Sequence, residues 1–91
     1  MRRAAFVYLL RCTDGTIYTG WTYDVTQRVR AHQDGRGARY TRIRRPVELI
    51  YQERLSSRRA AMRREIEIKK MSRARKLKLA EKISILIKRK K

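Results

Sequence analysis

Cysteine occurs once, at Cys12, among 91 residues. That excludes an intramolecular disulfide and any multi-cysteine zinc site. The lone thiol has no dyad partner and reads as a small buried hydrophobe. Proline also occurs once and glycine four times, while 42% of the residues are apolar. This is not the balance of a wholly disordered chain, and a folded core is expected. No apolar run approaches the ~18 residues of a membrane span. The start Met1-Arg2-Arg3 is basic, but the apolar stretch after it, Phe6 to Leu10, is too short for a secretory signal. A cytoplasmic protein is expected. The length allows one domain, 1–91, with a core over about 5–87 and a basic tail at 88–91.

Acidic residues are also scarce. Eight Asp and Glu face 26 Lys and Arg, for a formal net charge of +18. An acidic protein is excluded; a solvated basic helical surface is the plain reading, though an excess this one-signed is unusual for ion-pair networks, which need both signs. A polyanion is the leading partner class, nucleic acid ahead of an anionic membrane surface. The excess is uneven. Residues 1–53 hold 10 basic and 5 acidic residues, whereas residues 54–91 hold 16 and 3.

Phe6-Val7-Tyr8-Leu9-Leu10 is a short β-prone run and predicts a buried strand; Thr16 to Thr19 predicts a second. Asp14-Gly15 between them is a hairpin signal. A two-residue loop would put Tyr8 and Tyr18 on opposite faces. A three-residue loop, Thr13-Asp14-Gly15 with Gly15 left-handed, would pair Leu10 with Tyr18 and put both tyrosines on one face. Asp24 can cap a helix over Val25 to Gln33, ended by Gly35. A basic loop from Gly35-Arg36-Gly37 then runs to Pro46, and Val47 to Gln52 predicts a third strand. Ser56 or Ser57 can cap a helix over about Arg58 to Lys70. Ser72 restarts the chain into a last helix, about Arg73 to Ile87. Its apolar stripe is Leu79, Ala80, Ile83, Leu86 and Ile87. The tail from Lys88 to Lys91 should fray. The order ββα-β-αα predicts an α+β domain, a small antiparallel sheet packed by helices.

Some residues stand out chemically. On the helix near 58–70, Ala61, Met62, Ile66 and Ile68 define an apolar arc, with Glu65 at its centre and Glu67 on the solvent side. A carboxylate on a core-facing stripe is either paired with an arginine or functional, for instance as a metal ligand. Arg28 and His32 lie four apart on one face. His32 falls in the arc of Val25 and Val29, as a satisfied core residue or a functional one. Arg28, partly buried beside it, suits a bidentate grip on phosphate. Tyr8 and Tyr18 are ordinary core aromatics in isolation. Gly35-x-Gly37 with Arg36 and Arg39 has the look of an anion-holding loop. Arg42, Arg44 and Arg45 read as phosphate contacts or solvated charges. Trp21 reads as a base-stacking residue or as core packing.

Tyr8, then Tyr18-Thr19-Gly20, then Arg28, His32 and a distant Glu65 form an ordered set that resembles the GIY-YIG nuclease superfamily. The likeness covers roughly Ala5 to Leu79. It is closest to the small stand-alone branch of predicted endonucleases, the UPF0213-like proteins, whose signature is matched by Arg28-x-x-x-His32, Gly35-x-Gly37-Ala38-Arg39-Tyr40-Thr41 and Arg64-Glu65-x-x-x-Lys69. Phe6 stands where the first motif has glycine. Trp21 follows Gly20 where several members carry lysine or histidine, and the asparagine found late in many members is absent.

The resemblance implies a three-stranded antiparallel sheet flanked by helices. It also implies a metal-dependent endonuclease that hydrolyses phosphodiester bonds of DNA, with structured or branched DNA, as met in DNA repair, a candidate substrate. Tyr8, Tyr18, Arg28, His32 and Glu65 would form the catalytic set. Glu65 would hold Mg²⁺ or Mn²⁺, Arg28 would stabilise transition-state charge, a tyrosine would help activate water, and His32 would orient a tyrosine or water. A base role for tyrosine would need activation by nearby positive charge. Trp21, Arg36, Arg39, Arg42, Arg44, Arg45 and Lys69 would contact nucleic acid. A shared site needs both tyrosines on one face and so favours the three-residue loop. The expected partner is nucleic acid, DNA favoured, with no membrane, and the protein would act as a monomer or weak homodimer. The alternative is a non-catalytic or weakly active module that binds DNA or RNA and retains the fold; an accessory subunit of a repair assembly is a third possibility.

Overall fold

The computed structural model describes the backbone of residues 3–89 and the side chains of residues 3–81. The first apolar run becomes strand β1 (Ala5–Arg11), and its hairpin partner is β2 (Ile17–Thr22). Leu10 pairs with Tyr18 and Tyr8 with Gly20. Cys12 N–H bonds the Thr16 carbonyl at 2.9 Å and Gly15 has φ of +85°, so the loop is Thr13-Asp14-Gly15. The odd loop length sets the register, and the register puts both tyrosines on one face. Asp14 holds the turn by accepting from the Thr16 amide (3.0 Å) and hydroxyl (2.6 Å). The hairpin also anchors distant segments. Arg44 bonds Asp14 at 2.9 Å, and Arg73 bonds the Gly15 carbonyl at 2.7 Å.

Helix α1 (Val25–Gln33) starts where Asp24 accepts from the Gln27 amide at 2.9 Å. It ends in a Schellman motif: Gly35 has φ of +83°, its N–H bonds the His32 carbonyl, and Arg36 N–H bonds the Ala31 carbonyl. The segment expected as an uninterrupted basic loop contains one turn of helix, α2 (Arg39–Arg42). Strand β3 (Glu48–Leu55) pairs with β1, giving the sheet order β2-β1-β3, all antiparallel. It starts one residue later and ends three later than expected. A bulge opposite Leu9 and Leu10 leaves Ile50 unpaired.

β1 is central and covered on both faces, which is why its sequence is continuously apolar rather than alternating. On one face Ala5, Val7 and Leu9 pack with Tyr51, Ala61 and Ile68, the last two from helix α3 (Arg58–Lys69). Ser57 caps α3, accepting from the Ala60 amide at 3.1 Å. Leu79 and Ala80 of helix α4 (Arg73–Arg89) join this core. On the other face Tyr8, Leu10, Cys12 and Val47 pack with Tyr18, Val29 and Leu49. Cys12 is buried as expected. α4 runs two residues into the tail expected to fray; residues 90–91, and the side chains of Ile83, Leu86 and Ile87, lie outside the described set.

The inward face of α3 differs from the expected arc. Ala61 and Ile68 are buried, but Met62 is 44% exposed and Ile66 55% exposed. The face turned to the sheet carries Glu65, as expected, and beside it Arg64 in place of Met62 and Ile66. Arg64 is held by Glu53 of β3 at 3.0 Å and by Glu67 at 3.2 Å, and Tyr51 donates to the same Glu53 oxygen at 2.8 Å. Paired charges can occupy a half-buried face that hydropathy assigns to apolar residues.

Candidate active site

Tyr8 and Tyr18 stand side by side, ring centroids 6.4 Å apart. His32, fully buried on α1, lies 5.7 Å from the first ring and 5.1 Å edge-on from the second. Its Nε2 is 2.8 Å from the Tyr8 hydroxyl and its Nδ1 is 2.7 Å from the Thr41 hydroxyl. We assign the direction of this chain from its far end. The Thr41 hydroxyl donates to the Ala38 carbonyl at 3.2 Å, so its oxygen accepts from Nδ1–H. Neutral imidazole then presents a bare Nε2, and Tyr8 donates to it. Every polar atom in this buried line has a partner, which avoids the ~1–3 kcal/mol cost of an unsatisfied group.

Two glycines make the arrangement fit. A Cβ on Gly20, which faces Tyr8 across the strands, would lie 2.5 Å from the Tyr8 hydroxyl oxygen. A Cβ on Gly37 would collide with the His32 Nδ1. Gly35 and Gly37, expected as an anion-holding pair, therefore serve to end α1 and to admit the imidazole.

Opposite charges flank the tyrosines. Burial lowers the His32 pKa below its usual range, and Arg28 lowers it further. Burial, then the neighbouring Tyr18, raises the Tyr8 pKa strongly, with Glu65 adding and Arg28 opposing. Burial and Glu65 raise that of Tyr18, again opposed by Arg28. Arg28 is exposed, not partly buried as expected; it stands at the rim with its charge still felt at all three rings. Burial outweighs the positive charge of Arg28 at both tyrosines. The Glu65 side chain is 19% exposed, and its ion-pair partner is Lys69, four residues on, at 3.7 Å.

Since His32 is depressed, the unfolded chain takes up a proton first as pH falls below about 6.5. Stability is therefore full above that value and declines below it. His32 is the sole histidine. Thermal melts between about pH 7 and about pH 5 should show a falling midpoint in the wild type and a flatter profile in His32→Gln. Equal slopes would contradict the assignment.

The nucleic-acid candidates are dispersed. Trp21 lies on the opposite sheet face, 5.3 Å edge-to-face from Tyr23, yet lines a cleft with Arg28. Arg36 pairs with Asp34 at 2.9 Å, and Arg39 and Arg42 line a separate cleft beside it. Arg44 and Arg45 are structural ties. Arg44 binds Asp14 and the Tyr40 carbonyl and covers the Tyr40 ring at 3.8 Å. Arg45 binds the Arg42 and Gln33 carbonyls. Thr41 and Tyr40, which stacks on Tyr18 at 6.1 Å, belong to the site; the signature segment ending in Tyr40-Thr41 includes them but assigns no role to either. Membership of that signature is the signal that could have found Thr41; hydropathy does not mark a buried hydroxyl.

Among the described residues no three His, Cys, Asp or Glu side chains cluster to hold a metal. An all-protein cage is not available there. A single half-buried carboxylate fits Mg²⁺, which keeps several waters and takes phosphate oxygens. Also among the described residues, no helix is long and apolar enough to cross a membrane.

Comparison with known proteins gives a consistent picture. Residues 4–78 match the family model described as the GIY-YIG catalytic domain. A UPF0213 protein of Staphylococcus epidermidis is 51% identical over 76 residues, covering 84% of this chain and 93% of that protein. One from Staphylococcus haemolyticus is 53% identical over the same length and the same shares. The solution structure of a UPF0213 protein from Bacillus halodurans superposes with a TM-score of 0.55 at 44% identity, covering 86% of this chain and 83% of that one. That of an E. faecalis protein gives 0.62 at 34%, covering 92% and 90%.

Proposed function

Because the chain belongs to the GIY-YIG catalytic-domain family, a family of nucleases, we propose that it is a metal-dependent endonuclease. It hydrolyses phosphodiester bonds of DNA, with structured or branched DNA as the substrate. The observation that carries this reading is the buried 2.8 Å bond between the Tyr8 hydroxyl and His32 Nε2, between the opposite charges of Arg28 and Glu65. A standing Tyr8 phenolate is opposed by burial. A relay avoids it. The attacking water gives its proton to the Tyr8 oxygen as Tyr8 passes its own to His32 Nε2, leaving imidazolium. The rate therefore needs neutral His32. Arg28, exposed at the rim, stabilises charge developing on the phosphate. Tyr18 orients the phosphate or the water. Glu65 would hold Mg²⁺ or Mn²⁺, which when bound polarises the phosphate and stabilises the leaving oxygen.

The test is cleavage of labelled single-stranded, duplex, flap and four-way-junction DNA, with Mg²⁺ or Mn²⁺ against EDTA. Glu65→Ala is expected to lose metal-dependent cutting, by roughly a hundredfold or more, and to keep binding. Salt-sensitive binding without cutting in either protein would establish the non-catalytic binding module instead.

A further inference from the structure

Two clefts open beside the site. One, of about 550 Å³, is lined by Arg28, Arg30, Arg36 and Gly37 among others. The other, of about 440 Å³, is lined by Trp21, Tyr23 and Arg28 among others. They share Thr22, Asp24, Gln27 and Arg28, and so form one groove across α1 with Arg28 at its midpoint. Gly37, which lines the first cleft, lies close against the His32 imidazole. The groove thus runs beside the buried His32, and Arg28 is the candidate catalytic residue that lines it. Among the residues lining it, Asp24 is the sole carboxylate, and one of its oxygens is engaged at the start of α1.

We propose that this groove takes an unpaired strand of DNA, its backbone on Arg28, Arg30 and Arg36 and one base against Trp21. A groove with guanidiniums along one part and an aromatic side chain at one end is the arrangement that binds single strands. The phosphates meet the charges, and a base face meets the indole. A duplex cannot offer that face, because its bases are already stacked on each other. The assignment deepens the nuclease reading and rests on it only in taking the strand for substrate. It narrows the substrate to DNA with an unpaired segment at the cut.

Trp21 is the sole tryptophan, so its fluorescence reports on the groove without any substitution. The wild-type protein, in EDTA, is titrated with a short oligothymidylate, with a blunt duplex and with inorganic polyphosphate matched in charge. Saturable quenching by oligothymidylate alone is expected. With labelled oligothymidylate, Trp21→Ala should weaken binding about tenfold. Arg30→Ala should lower the salt slope by about one phosphate contact. Quenching of equal depth by duplex or polyphosphate would overturn the proposal, as would oligothymidylate binding that leaves the emission unchanged. Tighter binding of an oligouridylate of the same length would overturn the choice of DNA. No cleavage enters this readout. An unquenched protein that still cuts with Mg²⁺ defeats the groove alone, and a quenched protein that does not cut defeats the nuclease reading alone.

Discussion

Gly20→Ala should lower metal-dependent cleavage by about a hundredfold, the effect expected of a displacement of roughly 1 Å at a reacting group. The added methyl would sit 2.5 Å from the Tyr8 hydroxyl oxygen and 2.7 Å from the ring carbon that bears it. Neither partner can yield easily. Gly20 is fixed by its pairing with Tyr8 across the β1–β2 ladder, and the Tyr8 ring is only 1% exposed in a packed core. The ring must tilt, and its hydroxyl then leaves His32 Nε2. Overpacking of this kind also costs about 1–3 kcal/mol of stability. Kinetics and thermal melts on the same preparation separate the two effects. A folded Gly20→Ala protein with an unchanged rate would show that Tyr8 does not act through its bond to His32.

Thr41→Val removes the acceptor for His32 Nδ1–H with almost no change of volume. Thr41 is fully buried, so water does not replace it. The orphaned N–H should cost about 1–3 kcal/mol, a fall in melting temperature of roughly 4–8 °C for each kcal/mol in a domain of this size. The imidazole can relieve the strain by moving its proton to Nε2, which then donates to Tyr8 instead of accepting from it. Long-range proton–nitrogen spectra of the single histidine read the tautomer directly, with no need for activity. The proton is expected on Nδ1 in the wild type and in Thr41→Ser, and on Nε2 in Thr41→Val. An Nδ1–H signal unchanged in the valine variant would refute the direction assigned to the chain.

Much of this was legible in the amino-acid order. The caps Asp24 and Ser57, the left-handed Gly15 and the α+β order ββα-β-αα are local signals, and local backbone chemistry decides them. The hairpin register was harder. It followed once Tyr8 and Tyr18 were required to share a face, which selected the three-residue loop. The misses share another cause. Helix α2 is one turn long, with Ala38 at its start and no side-chain cap, so neither periodicity nor capping marks it. On α3, hydropathy placed Glu65 inward correctly but drew the arc toward Met62 and Ile66, whereas its neighbour on the inward face is Arg64, paired with Glu53. Such pairing depends on β3, a partner that no helical wheel includes. The exposed position of Arg28 and the buried one of Thr41 likewise depend on how α1 and α2 meet.

The central place of β1 has a consequence for how the chain is made. β1 precedes every other element, yet its second neighbour, β3, follows only after α1 and α2, and the helices that cover one of its faces come later still. A growing chain therefore carries an apolar strand, uncovered on one face and open along one edge, until β3 and the helices after it have been synthesised. Such a strand is prone to pair with its like in another molecule. Charge on either side of it counters that tendency. Arg3 and Arg11 bracket the run, and Arg11 then takes Glu48 as its ion-pair partner when β3 arrives. The same guanidinium can keep nascent chains apart first and fasten the finished sheet afterwards.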